Sequence, residues 1–185
     1  MKKLIIFVLA LSCAFTLVSC IPKGDPKYAN TVSYAGWTDD LAIASGALNG
    51  ESLQNAEETH LPIFKIDTLE DLEQFKTKYC NILSMDQGYN SILSFNDALA
   101  KAQFDREGFF EKNTLLVVYV TAISGSYRFG VGGINATDDS VCVYVEKTNA
   151  PKVLTDDMAG WFVLVEIEKD QIKNCSSFDA ILIKK

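Results

Sequence analysis

The sequence contains one run that is apolar at nearly every position, Leu115-Leu116-Val117-Val118-Tyr119-Val120-Thr121. A strand with one face in water alternates apolar and polar side chains, and this run does not alternate. An uninterrupted apolar strand is typical of a strand buried on both sides. The run therefore predicts a central strand that is covered on both faces.

Other strands are predicted before and after this run. Residues 140–146 alternate, with Val141, Val143 and Val145 on one face. Residues 161–167 alternate in the same way, and the glycines in 127–134 predict a bulged or curved strand. Two shorter strands are expected near 61–66 and 178–183. The predicted fold class is α+β, with a mainly antiparallel sheet of five to six strands and two short helices in a single domain.

The two helices are predicted from apolar spacing and capping residues. Within 68–79, the residues Leu69, Leu72, Phe75 and Tyr79 recur at helical spacing and form one apolar stripe. Asp67 is the predicted cap of this helix, and Glu70 follows it at the capping-box distance. Ser94 is expected to cap a shorter second helix that ends near Gln103.

The N-terminus has the order of a bacterial lipoprotein leader. Lys2 and Lys3 precede an apolar stretch, and Leu17-Val18-Ser19-Cys20 resembles a lipobox. We expect residues 1–19 to be a signal peptide and Cys20 to carry lipid that anchors the chain to the outer face of the cell membrane. An ordinary secretory signal beside an incidental cysteine is the alternative. Residues 20–33 are then a tether, 34–60 an N-terminal extension and 61–185 the α+β domain.

Charge and histidine content exclude several classes of function. The net charge is −7, and it becomes −9 without residues 1–19, which carry two lysines and no acid. So acidic a chain offers no broad basic surface for nucleic acid. Its single histidine, His60, leaves little room for histidine-based metal or catalytic sites. We expect no cofactor, no metal and no catalytic residue.

Three cysteines remain for the domain, Cys80, Cys142 and Cys175. An oxidising compartment permits one disulfide among them, and Cys142 with Cys175 is the favoured pair because both lie in the β-rich half. Three reduced, buried thiols are the alternative.

Four stretches within residues 61–183 form a recognisable series: Leu72-Glu73-Gln74-Phe75, 109–119, Ser124-Gly125-Ser126-Tyr127-Arg128-Phe129 and 155–162. In these stretches the chain resembles secreted lipoproteins of clostridial Gram-positive anaerobes. The order of these motifs is also similar to the C-terminal domain of PrcB, a subunit that accompanies a surface protease. The resemblance implies a non-catalytic, β-rich binding module, and it supplies no active site.

The candidate partner-binding residues are aromatic, basic or acidic and fall mostly in the later loops: Tyr127, Arg128, Tyr144, Asp156, Asp157 and Trp161. Aromatic residues and arginine are enriched where proteins bind each other. For Trp161, a place in the core is the competing interpretation. The expected function is protein binding, with a secreted or surface protease as the suggested partner. A hydrolase that uses the acidic pairs Asp138-Asp139 and Asp156-Asp157, or a carbohydrate-binding domain that uses Trp161 and Tyr127, is the alternative.

Overall fold

The computed structural model describes residues 32–36, 58–80, 82–83, 85–86, 88, 92–156 and 158–183. None of the helices in these ranges is both long and apolar enough to cross a bilayer. The elements are, in chain order, β1 (Val32–Gly36), β2 (Glu58–His60), β3 (Ile63–Ile66), α1 (Leu69–Tyr79), α2 (Phe95–Ala102), α3 (Phe109–Lys112), β4 (Asn113–Ala122), β5 (Phe129–Ala136), β6 (Ser140–Lys147), β7 (Ala159–Glu168), α4 (Lys169–Ile172) and β8 (Ser177–Ile183).

The strands form two sheets. The first sheet has the order β1-β7-β4-β3, and all its neighbours are antiparallel. The second has the order β2-β8-β6-β5, in which β6 and β8 run parallel. The α+β class is confirmed, and the prediction of one mainly antiparallel sheet is wrong. The physical reason is that β4 and β7 are buried on both faces, so that helices cover one face and a second sheet covers the other.

The central position of β4 is confirmed. Its alternate residues Leu115, Val117 and Tyr119 pack in a core with the helices. The residues between them, Leu116, Val118 and Val120, pack in a second core against the other sheet. The layers are therefore helices, first sheet and second sheet, and β4 lies in the middle layer.

Helix α1 begins one residue later than its sequence suggested. Thr68, and not Asp67, is the cap, because its side chain accepts a hydrogen bond from the Asp71 amide at 3.0 Å. Leu69 therefore falls in the first turn and is 47% exposed, whereas the rest of the predicted stripe is buried. The second helix has its predicted cap, since Ser94 accepts from the Asp97 amide.

The N-terminal strands belong to the two sheets. β1 pairs with β7, and β2 pairs with β8. Parts of the predicted tether and extension therefore supply edge strands. Beyond His60 the amide of Leu61 donates to Ala180 in the second sheet, and after Pro62 the chain enters β3 of the first sheet.

Candidate functional site

Two loops meet at one end of the molecule. The turn 123–128 joins β4 to β5, and the connection 148–158 joins β6 to β7. Ala122 pairs with Ala159, and Phe129 pairs with Lys147, so both loops leave the sheets at this same end. We call it the loop end, and the opposite end, with the β5–β6 turn 137–139, the hairpin end.

Three hydroxyl groups join the two loops. The Thr155 Oγ1 atom lies 3.0 Å from Ser124 Oγ and 3.1 Å from Ser126 Oγ. The Thr155 amide also donates to Ser126 Oγ at 3.1 Å, and the Ser126 amide donates to Ser124 Oγ at 3.2 Å. Ser124 is only 1% exposed, so these bonds satisfy a buried hydroxyl as well as linking the loops.

Asn149 makes a second link between the loops. Its Nδ2 donates to the Ser126 carbonyl at 2.8 Å, and its Oδ1 accepts from the Arg128 amide at 2.7 Å. The Thr148 amide donates to the Arg128 carbonyl at 2.9 Å. With the hydroxyl cluster, these bonds hold the loops in one arrangement.

Arg128 lies over the buried indole of Trp161. The Cζ atom of Arg128 is 5.0 Å from the ring centroid, within the range of a cation–π contact. Nη1 of Arg128 donates to the carbonyls of Gly125 and Tyr127, both at 2.7 Å. Trp161 itself has no exposed surface. It is therefore a core residue that supports the loops, and it does not lie where a partner could touch it.

The same loops expose apolar side chains. Among the described residues, six large hydrophobic side chains are exposed, and four of them lie here: Ile123 at 73%, Val153 at 79%, Leu154 at 46% and Met158 at 41%. Ile123 directly follows Ala122, and Met158 directly precedes Ala159. Because Ala122 and Ala159 are paired across the sheet, Ile123 and Met158 are neighbours. Leu154 precedes Thr155, which contacts the other loop. We call these four side chains, together with Tyr127, the loop surface.

Basic groups border the loop surface. The Lys147 ammonium lies 4.1 Å from the centroid of the Tyr127 ring, and Lys152 is exposed next to Val153. Asp156 is exposed on the same connection, and Asp157 lies outside the described residues. Of the predicted binding residues, the structure therefore brings Tyr127, Arg128 and Asp156 to the loop end.

Tyr144 and the cysteines lie elsewhere. Tyr144 and Cys142 are half-buried in β6, in alternation with Val141, Val143 and Val145, which face the core between the sheets. Cys175 packs against that core, and its Sγ lies 3.5 Å from the Thr137 carbonyl. Cys142 and Cys175 are not disulfide-bonded in the structure, and Cys80, Cys142 and Cys175 are half-buried, so neither the predicted pair nor three fully buried thiols is seen. Cys142 belongs to the outer face of the sheet and Cys175 to its inner side, so the two thiols are on opposite faces.

Those acids of the predicted hydrolase that the structure describes do not lie together. Asp138 and Asp139 form the β5–β6 turn at the hairpin end, whereas Asp156 is at the loop end. The eight residues of β5 separate the two ends by roughly 25 Å at a strand's rise per residue. Paired carboxylates of glycosidases are less than about 10 Å apart. Among the residues that the structure describes, no group of three or more His, Cys, Asp or Glu is placed to hold a metal ion.

The two remaining polar features do not join the loop surface. His60 Nδ1 lies 2.9 Å from Asp179 Oδ1, on β2 and β8. A polar groove of about 500 Å³ lies where β4 begins and β7 ends, away from the loop end, and it is lined by Glu111, Lys112, Asn113, Glu166, Glu168, Lys169 and Asp170. It contains none of the residues predicted for binding.

Sequence reasoning missed the apolar part of the loop surface. Val153-Leu154 is an apolar pair inside a connection that also contains Pro151 and Lys152, and such a pair in a polar loop is the signal that could have shown it. The predicted lipid-bearing Cys20 lies outside the described residues. No family model, curated protein or solved structure matches the chain.

Proposed function

We propose that this protein is a lipid-anchored, extracytoplasmic binding module that docks another protein on its loop surface. The observation that carries the proposal is the grouping of Ile123, Val153, Leu154 and Met158 at one end. Exposed apolar side chains that are scattered singly need no explanation, whereas a contiguous apolar group often marks a binding surface.

The contacts beneath the loop surface order it in advance, which favours binding of a protein partner. The hydroxyl cluster around Thr155 and the cation–π contact of Arg128 with Trp161 hold the loops in place before any partner binds. A surface that is already ordered loses less conformational entropy on binding, so that more of the contact energy appears as affinity. Tyr127 adds an amphipathic aromatic side chain of the kind enriched at protein interfaces.

The charges indicate the kind of partner. Lys147, Lys152 and Arg128 border the loop surface in a chain whose net charge is −7. These cations suit a partner that places carboxylates around an apolar contact, and the exposed Asp156 of the same connection suits a cation on that partner. A secreted or surface protease that presents such a patch is the partner suggested by the resemblance to PrcB.

Crosslinking on living cells tests the proposal. The wild-type protein is expected to capture a specific protein, and the Val153→Asp variant is expected to lose it because a charge then interrupts the apolar group. Leu69→Asp is the matched control, since it places the same charge on an exposed apolar residue of α1. Equal capture by all three proteins, or capture of nothing, would refute docking on the loop surface.

A further inference from the structure

The two methionines that the structure describes lie in opposite environments. Met85 has no exposed surface and belongs to the core that the first sheet forms with the helices. Met158 is 41% exposed and directly precedes β7 at the loop end. Met1, the third methionine of the sequence, falls in the expected signal peptide. An oxidant in solution therefore reaches Met158 directly, whereas the fold shields Met85.

Met158 is one of the four exposed apolar side chains of the loop surface. It precedes Ala159, whose pairing with Ala122 places it beside Ile123, and Ile123 is 73% exposed. The connection that carries Met158 is bonded to the first loop through Thr155. Because the side chain of Met158 is exposed while the backbone around it is held, a chemical change at its sulfur alters the surface more than the fold.

The thioether of methionine is apolar, and oxidation makes it polar. Hydrogen peroxide supplies the oxygen atom: a lone pair of the sulfur attacks one peroxide oxygen, an S–O bond forms and the O–O bond breaks. The second oxygen leaves as water with both protons, so that the sulfur loses the two electrons that the peroxide gains. The product, methionine sulfoxide, carries a polar oxygen where the surface was apolar.

We propose that Met158 is an oxidation site, and that its sulfoxide releases the protein partner from the loop surface. The inference rests on the proposed function and adds its regulation. Docking would bury the sulfoxide oxygen among apolar side chains, and a polar group that is buried without a hydrogen bond destabilises a complex. Peroxide reaches the domain from outside the cytoplasm, where the proposed anchor holds it. Methionine sulfoxide reductases reduce the sulfoxide again, so the change is reversible.

The chemistry is tested on the full-length protein in detergent micelles, with hydrogen peroxide as the oxidant. Peptide mapping by mass spectrometry should find one added oxygen at Met158 while Met85 is unmodified. After the protein is unfolded in urea, both methionines should be oxidised at similar rates, because the fold no longer shields Met85. Equal rates of oxidation in the folded protein would overturn the assignment of Met158 as the oxidation site.

The effect on docking is measured by crosslinking on living cells, before and after treatment with peroxide. Treatment should lower the capture of the partner by the wild type about tenfold. Capture by Met158→Leu should not depend on the treatment, whatever its untreated level, because leucine has no sulfur to oxidise. The two proteins carry the same cysteines and meet the same partner, so oxidation elsewhere affects both equally. Met158→Gln, which is polar without oxidation, should capture less than Met158→Leu in untreated cells.

Each other outcome counts against the proposal. An equal fall in the wild type and Met158→Leu would assign the effect of peroxide to another residue or to the partner. If treated wild type retains the partner while Val153→Asp loses it, docking on the loop surface stands and control by oxidation fails. If Val153→Asp retains the partner as well, docking on the loop surface fails, and the proposed role of Met158 fails with it.

Discussion

The guanidinium of Arg128 lies over the indole of Trp161, with Cζ 5.0 Å from the ring centroid, and its Nη1 donates to the carbonyls of Gly125 and Tyr127. This relationship connects the first loop to the core. Trp161 has no surface for a partner, yet it determines where Arg128 and the turn around it lie. Trp161 thus supports the loop surface from the core, whereas Arg128 is part of the turn that borders it.

Replacement of Arg128 by alanine should loosen the turn 123–128. Two hydrogen bonds from a charged donor and one cation–π contact are lost, and partial exposure reduces their value, so we expect a loss of about 1–2 kcal/mol in the free energy of unfolding. Urea denaturation measures it. Arg128→Lys keeps the charge but not the planar fork, and it should recover less than half of the loss. Full recovery by lysine would mean that charge alone matters at this position.

Thr155→Val should separate the two loops. The substitution keeps the shape of the side chain but removes the hydroxyl that lies near Ser124 and Ser126. The Ser124 hydroxyl then loses one hydrogen-bond partner, and because Ser124 is buried, water does not replace it. The expected loss in the free energy of unfolding is about 1–2 kcal/mol. Thr148→Val, at an exposed threonine of the same connection, is the control and should change the unfolding free energy by less than about 0.5 kcal/mol. Similar losses for both variants would contradict a specific role of the cluster.

The local patterns of the sequence predict the strands better than their arrangement. The unbroken apolar run in β4 predicts burial on both faces, because every position needs an apolar neighbour. Nothing in the run says that helices cover one face and a second sheet the other. That division depends on pairing over long sequence distances, such as Val118 with Val163.

The meeting of the two loops could not be predicted for the same reason, although the apolar pair Val153-Leu154 is a local signal of an exposed apolar surface. Ser124 and Thr155 are 31 residues apart, and only the pairing of β4 with β7 brings them together. Tyr127 and Arg128 could be selected because aromatic and arginine side chains are common at interfaces. In the sequence, Ile123 and Met158 read as parts of the apolar strands that they adjoin. Nothing in the pattern therefore indicates that they are exposed.

Substitutions in α1 test the register of the helix. Leu72 has no exposed surface and packs beneath the first sheet, so Leu72→Ala should cost about 2–4 kcal/mol. Leu69 belongs to the same apolar stripe in sequence, but it is 47% exposed. Leu69→Ala should therefore change stability by less than about 0.5 kcal/mol. Equal losses in the unfolding free energy of the two variants, measured by urea denaturation, would mean that Leu69 is buried like Leu72, as the sequence pattern alone suggests.

The state of the cysteines can be measured by mass. In the structure Cys80, Cys142 and Cys175 are not disulfide-bonded, so denatured but unreduced protein should take up three alkyl groups on these residues. Peptide mapping assigns each adduct. A mass lower by about two hydrogens, with Cys142 and Cys175 both unlabelled, would establish the disulfide predicted from the sequence instead.

The carboxyl of Asp67 should make the free energy of unfolding vary with pH in the acid range. Burial raises the pKa of its carboxyl, but hydrogen bonds from Lys65 and Thr114 and the charges of Lys65 and Lys169 outweigh that effect, and the pKa is lowered from its ordinary value of 3.8. The Lys65 ammonium lies 2.6 Å from one carboxylate oxygen, and the Thr114 hydroxyl donates to the other at 2.5 Å.

Because the folded protein holds the ionised form of Asp67, its stabilising effect is complete above the ordinary pKa. It is lost as the pH falls below 3.8 and through the lowered pKa of the folded state. Asp67→Asn should therefore be less stable than the wild type at neutral pH, and the difference should shrink in that acid range. Urea midpoints measured across a pH series provide the test, with Asp105→Asn, at an exposed carboxyl after α2, as the control. A difference between wild type and Asp67→Asn that persists unchanged in strong acid would show that the ionised carboxylate is not what stabilises this corner of the fold.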